Sequence, residues 1–149
     1  MRIVSWNINS VRLRIDTLKR VADALQPDFL CLQEIKAQDE DFPTVGVTEA
    51  GFAHQHFRGM KGYNGVAILS RTPLADGGSR DWCGREDCRH VAANIGGGGE
   101  LHNFYVPAGG DEPDPAINEK FAHKLDFLSE VTDWSKGLSK KGRRILVGD

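Results

Sequence analysis

The chain has 149 residues, 40% of them hydrophobic, and a formal net charge of −2 at pH 7, which fits one globular domain with a core of its own. No apolar run approaches the roughly 20 residues that a membrane span needs, and the N-terminus opens straight into a strand pattern rather than a signal segment, so a cytoplasmic protein is expected. A total charge near zero neither announces nor excludes a nucleic-acid partner, because such binding needs a local basic face rather than a basic total.

Residues 2–9 turn apolar around Ile3, Val4 and Trp6 and suit a buried strand. Val11, Ile15, Leu18, Val21, Ala22 and Leu25 then recur at three- and four-residue steps, a helix that Pro27 ends. Phe29, Leu30, Cys31 and Leu32 make a short all-apolar strand before Glu34. A strand, helix, strand unit of this kind points to an α/β fold whose helices cover buried strands. Residues 39–51 are acidic and hold one short helix, and 52–57 alternate as a strand does. Gly62-Tyr63-Asn64-Gly65 punctuates the chain ahead of an apolar strand over 66–70. Residues 72–87, rich in Gly, Asp, Arg and Pro, read as a surface excursion. Strands over 90–95 and 101–106 flank Gly96 to Gly99, a hairpin signal because glycine tolerates the positive φ of tight reversals. After a loop with solvated acids at Asp111, Glu112 and Asp114, a helix over 116–134 places Phe121, Leu125, Leu128 and Val131 on one face. Residues 136–144 are a basic connection and 144–149 a last strand. No repeat and no domain boundary is visible.

Three strand ends carry polar residues: Trp6-Asn7-Ile8-Asn9, Leu32-Gln33-Glu34 and Val147-Gly148-Asp149. Ligand sites in α/β folds gather outside the carboxyl ends of strands. Phosphodiester hydrolysis asks for a divalent cation, a group that positions water and donors for the developing charge. Magnesium, held by one or two carboxylates with several waters, suits Glu34 and Asp149. Taken singly, a carboxylate at a strand end is more often a solvated or capping residue; the joint occurrence changes the odds.

With Asn7 in Ser-Trp-Asn-Ile-Asn, Glu34 in Cys-Leu-Gln-Glu-Ile-Lys, Lys61-Gly-Tyr-Asn-Gly-Val-Ala, Tyr105 in Asn-Phe-Tyr-Val-Pro and the final Val-Gly-Asp, the chain resembles the exonuclease III family. These segments run in the family's order from Met1 to Asp149. The family belongs to the endonuclease/exonuclease/phosphatase superfamily and acts as apurinic/apyrimidinic endonuclease and 3′ exonuclease in base excision repair. The resemblance implies an α/β fold, the four-layer α-β-β-α sandwich of that superfamily, of which this chain supplies about the first half. It implies Mg2+ or Mn2+ held by Glu34, with Asn7 as a ligand or orienting amide and Asp149 as a further ligand. It also implies catalytic roles for Tyr105, whose hydroxyl approaches the scissile phosphate, and for Asp149, which aligns or deprotonates water. DNA contacts fall by the same resemblance on Arg89, Lys61, Tyr63 and Asn64, with Lys36 at the rim. For Arg89 a surface arginine held by Asp87 is the competing reading, and for Tyr63 and Asn64 plain turn chemistry.

Relatives continue past the Gly-Asp pair with an asparagine, a further aspartate and an Asp-His pair. Residues 1–149 are therefore expected to be an incomplete domain lacking its C-terminal part, inactive alone, with one bare apolar sheet face and a second polypeptide segment completing the sandwich. The expected activity is magnesium-dependent hydrolysis of double-stranded DNA at abasic sites or 3′ ends, without a membrane partner. Two alternatives stand beside it: another superfamily phosphodiesterase or phosphatase acting on an inositol phosphate, sphingolipid or RNA, and a catalytically dead DNA-binding module.

Other features carry less. Cys31, Cys83 and Cys88 are an odd count, so no disulfide framework is expected. Cys83, Cys88 and His90 lack the paired spacing of a zinc site. The glycine run lacks the Lys-Ser or Lys-Thr of a phosphate loop. His54, His56, His90, His102 and His123 match no catalytic position and read as structural or surface residues. Arg12, Arg14, Lys19, Arg20 and the cluster over 140–144 are either DNA-backbone contacts or solvated surface.

Overall fold

The computed structural model describes residues 1–138 and 142–149; Lys140, part of the basic cluster, lies outside the described residues. The chain forms two four-stranded sheets. The first contains β1 (Ile3–Asn7), β2 (Phe29–Gln33), β3 (His54–Arg58) and β4 (Val66–Ser70) in the order β1-β2-β4-β3. The second contains β5 (Ala75–Asp76), β6 (His90–Ile95), β7 (Gly99–Phe104) and β8 (Arg143–Gly148) in sequence order. The pairs β1–β2 and β7–β8 are parallel and the rest antiparallel.

Helix α1 (Ile15–Leu25) ends where Gln26 takes a left-handed conformation (φ 46) and returns its N–H to the Ala22 carbonyl, just before Pro27. It buries Leu18 and Ala22 against Leu30, Leu32, Ala67 and Leu69 on the outer face of the first sheet. The short α2 (Thr44–Glu49) joins that layer, and a 3-10 turn at Asp39–Asp41 precedes it. The inner faces of the two sheets meet through Phe29, Cys31, Val66, Ile68, Val91, Ala93, Ile95 and Leu101. Helix α3 (Glu119–Lys136) covers the outer face of the second sheet through Phe127 and Phe104. Four layers, helix, sheet, sheet and helix, are thus built from this chain.

Five expectations need correction. No sheet lies bare on its inner face, because residues 71–75 carry the chain across to the second sheet and each inner face covers the other. One stretch of exposed apolar surface lies along β8 and α3, where Leu125, Leu128 and Leu146 are exposed. Residues 72–87 are more than a surface excursion. They deliver Trp82, which is 1% exposed, into a cluster with His90, Phe104, Phe127 and Trp134. That tryptophan also decides how α3 sits: the buried stripe is His123 and Phe127, flanked by Val131 and Trp134, whereas Leu125 and Leu128 face outward. The helix starts three residues later than expected because the Asn118 side chain accepts from the N–H groups of Lys120 and Phe121 and caps it there. Finally, β7 begins at Gly99, with the tight turn formed by residues 96–98.

The cysteines are free. Among the described residues no helix is long and apolar enough to cross a membrane, and no group of three or more His, Cys, Asp or Glu is arranged to hold a metal. The zinc reading therefore gains no support from the described residues.

Candidate active site

Side chains alternate along a strand, so the inner faces can be read as files. Ile3, Ser5 and Asn7 lie on β1, and Phe29, Cys31 and Gln33 on β2. Leu101, Asn103 and Tyr105 follow on β7, and Ile145, Val147 and Asp149 on β8. Each file starts apolar inside the sandwich and ends polar. Because β1 and β2 run parallel and so do β7 and β8, the polar ends of both sheets meet at one rim.

Two backbone details complete the arrangement. Strict alternation would turn Glu34 toward α1, on the side of Leu30 and Leu32. Its left-handed backbone (φ 53) instead brings the carboxylate to the centre. At Gly148 an added Cβ would lie 2.2 Å from the Phe104 carbonyl oxygen, so only glycine lets β8 close on β7. The ladder continues there, with Asp149 N–H donating to the Phe104 carbonyl at 3.2 Å and Val106 N–H to the Asp149 carbonyl at 2.8 Å.

Asn7 Nδ2 donates to Glu34 Oε1 and to Asp149 Oδ2, both at 2.8 Å. The Tyr105 hydroxyl donates to Glu34 Oε1 at 2.6 Å. Lys36 Nζ lies 2.8 Å from Glu34 Oε2 and donates to Asn9 Oδ1 at 2.6 Å, while Asn9 N–H donates to Asn7 Oδ1 at 3.1 Å. Burial pushes the Glu34 carboxyl up, but the hydrogen bonds from Asn7, Lys36 and Tyr105, together with the Lys36 charge, outweigh it and hold the group at about 2. Burial, then the hydrogen bond to Glu34 and its charge, push the Tyr105 phenol up to about 12. At neutral pH the centre therefore pairs an ionised carboxylate with a protonated phenol.

Of the residues expected to face DNA, Arg89 is held by Asp87, the partner of its competing reading, and by Tyr105. Its Nε donates to Asp87 Oδ2, its Nη1 donates to the Tyr105 carbonyl at 3.2 Å, and its guanidinium lies 5.1 Å from the centre of the Tyr105 ring. Asn64 is buried, takes a left-handed backbone (φ 52) and donates to the Asp87 carbonyl at 2.9 Å. Tyr63, 58% exposed, and Lys61 stand free at the surface. Lys36 points into the cluster rather than along the rim. Tyr63, Asn64, Asp87, Arg89 and Tyr105 line a cavity of about 460 Å³ that extends to Lys120 and His123 on α3.

Sequence reading missed two contributors and gave a third only in part. Asn9 orients Asn7 and Lys36, and it was visible only as the second asparagine of Trp-Asn-Ile-Asn. His123, left as a structural or surface residue, is a buried wall of the cavity whose Nε2 has no hydrogen-bond partner among the described residues. Asp87, legible as a partner of Arg89, also joins it to the Asn64 loop. Nothing in the local sequence marks His123, because its neighbours come from other elements.

The donor set suits a hard divalent cation. Glu34 and Asp149 offer only oxygen ligands, while Asn7 turns its amide nitrogen to both and its oxygen to Asn9 N–H, and magnesium takes one or two carboxylates while keeping waters. Two carboxylates share one amide nitrogen at 2.8 Å, with the Lys36 ammonium balancing one of the two charges. A site with one uncompensated negative charge and oxygen donors from both sheets fits such an ion.

Comparison with known proteins agrees with this geometry. The model described as the Endonuclease/Exonuclease/phosphatase family matches residues 4–149. Exodeoxyribonuclease III of Haemophilus influenzae is 41% identical over 71 residues, covering 48% of this chain and 26% of that protein. The structure of an AP endonuclease from Archaeoglobus fulgidus matches with a TM-score of 0.87 at 30% identity, over 100% of this chain and 56% of that one. A 3′ phosphatase from Neisseria, solved bound to a product DNA hairpin, matches with a TM-score of 0.85 at 29% identity, over 100% and 57%. The chain thus spans little more than half the length of these two structures, and the matched segment about a quarter of the curated relative.

Proposed function

Because the chain belongs to the endonuclease/exonuclease/phosphatase family, we propose that it serves metal-dependent hydrolysis of DNA phosphodiesters in base excision repair, incising beside abasic sites and clearing 3′ ends. The observation that carries this reading is the convergence of Asn7, Glu34, Tyr105 and Asp149 from both sheets on one hydrogen-bonded cluster. The exonuclease III likeness of the Haemophilus protein and the DNA hairpin held by the Neisseria phosphatase support DNA as the substrate class.

On this reading Glu34 and Asp149 would hold Mg2+, or Mn2+ in its place, with Asn7 orienting both carboxylates through its amide nitrogen. Such an ion supplies neutralisation of the phosphoryl oxygens and activation of water. Lys36 keeps Glu34 ionised through its 2.8 Å contact. Tyr105, its phenol protonated across the working range, acts as a neutral donor toward the phosphate charge. Asp149 orients or deprotonates the attacking water. Arg89, fixed on the Tyr105 ring, meets the DNA backbone together with Lys61, Tyr63 and Asn64.

The test is incision of an abasic duplex with magnesium, run beside a lipid phosphate substrate, for the otherwise complete protein and for its Glu34→Ala variant. Magnesium-dependent incision that the variant loses is expected. Incision retained by the variant would overturn the assignment, and turnover of the lipid phosphate alone would move the substrate class.

A further inference from the structure

Among the apolar residues that β2 and β7 turn toward each other lies one amide pair, beneath the candidate site. Gln33 and Asn103 are both fully buried. Gln33 Nε2 donates to Asn103 Oδ1 at 2.6 Å, and also to Ser5 Oγ at 3.1 Å. Asn103 Nδ2 donates to the main-chain carbonyls of Leu32 at 2.8 Å and Ala67 at 2.9 Å. The second sheet thereby grips two neighbouring strands of the first.

The orientation of both amides follows from donor counting. Two carbonyls take up the Asn103 amide group, which leaves its oxygen as an acceptor, so Gln33 must present its nitrogen. Gln33 Oε1 is then left without a partner among the described residues. A buried orphan acceptor lowers stability, and a well-packed apolar pair would avoid it. What the amide pair supplies instead is a fixed register between the two sheets.

Register matters here because of what lies one step along the chain. Gln33 immediately precedes Glu34, and Asn103 sits two residues before Tyr105 on the same face of β7. The Tyr105 to Glu34 hydrogen bond at 2.6 Å spans the two sheets at the rim, directly above the amide pair. We propose that Gln33 and Asn103 form a positioning clamp that sets the separation of Glu34 and Tyr105, although neither touches substrate. The kinetic part of this proposal rests on the nuclease reading; the structural part does not.

The chain contains two tyrosines, so labelling with 3-fluorotyrosine yields two fluorine NMR resonances, assigned through Tyr63→Phe. Glu34→Ala defines the Tyr105 resonance when its hydroxyl has lost its acceptor. Gln33→Met, which keeps the side-chain volume, and Asn103→Leu are expected to move the Tyr105 resonance toward that position while Tyr63 stays in place. Ile68→Ala, a change in the same inter-sheet core, is expected to lower the unfolding midpoint without moving it. In the abasic incision assay Gln33→Met should lower kcat by about tenfold or more, since misplacement of about 1 Å costs on the order of a hundredfold, with KM for DNA unchanged. An unmoved Tyr105 resonance in folded Gln33→Met overturns the clamp, whether or not Asn103→Leu folds. If the resonance moves but the otherwise complete protein incises no DNA, the clamp stands and the nuclease reading fails. If DNA is incised and neither resonance nor kcat responds, the nuclease reading stands and the clamp fails.

Discussion

Replacing Glu34 by glutamine keeps the shape of the side chain and removes its charge, so its effect on folding can be read against pH. The carboxyl is held at about 2 in the folded chain against an ordinary 4.5. At about 1.4 kcal/mol for each pH step, that gap places about 3 kcal/mol of folding free energy on the ionised form. The side chain is only 19% exposed, so solvent screening removes little of it. An independent count agrees in order of magnitude: hydrogen bonds to a charged acceptor contribute about 1.5–3 kcal/mol each, and burial of the charge takes back a large part of the sum. The sign follows from the lowered pKa. The contribution is fully present above pH 4.5 and is lost as the pH falls toward about 2. Urea unfolding of the original chain and of Glu34→Gln in metal-free buffer, at neutral pH and at steps downward, measures the difference. It should be about 3 kcal/mol at neutral pH and shrink toward zero in acid, while all other carboxylates titrate alike in both chains and cancel. A difference that stays constant over the whole range would refute the claim that Asn7, Lys36 and Tyr105 hold a buried charge in place.

Magnesium should raise the unfolding free energy of the original chain by about 2.7 kcal/mol at a hundred times its dissociation constant, and leave that of Glu34→Gln unchanged; equal shifts in both chains would place the ion elsewhere. Gly148→Ala sets a methyl group 2.2 Å from the Phe104 carbonyl oxygen. Forced overpacking of that kind costs about 1–3 kcal/mol, so calorimetry should show Tm lower by roughly 3–10 °C. Trp82→Ala empties the centre of the aromatic cluster under α3 and should cost about 3–5 kcal/mol in chemical unfolding, where a true surface loop would cost almost nothing. Burial pushes the Cys31 thiol up to about 12, so a thiol reagent at neutral pH should modify it only after unfolding, and the partly exposed Cys83 before it.

Strands β1, β2 and β8 were legible because each holds a short apolar run whose polar terminal residue stands out against it, and the ends that carry Asn7, Glu34 and Asp149 were visible for that reason. Helix α1 was equally plain, since its apolar spacing and Pro27 act within one segment. The buried face of α3 was not. Phe121, Leu125, Leu128 and Val131 satisfy helical spacing as well as the stripe through His123 and Phe127 does, and the choice between them belongs to Trp82, some forty residues earlier in the chain. Local sequence names the polar groups at strand ends and the punctuation that ends each element, because strand alternation and helix capping are short-range effects. Which of those groups face one another was decided only when two parallel strand pairs from different sheets stacked in register. Packing across the interior is a long-range matter, and it turned Asn9, Asp87, Gln33, Asn103 and His123 from ordinary polar residues into parts of one site.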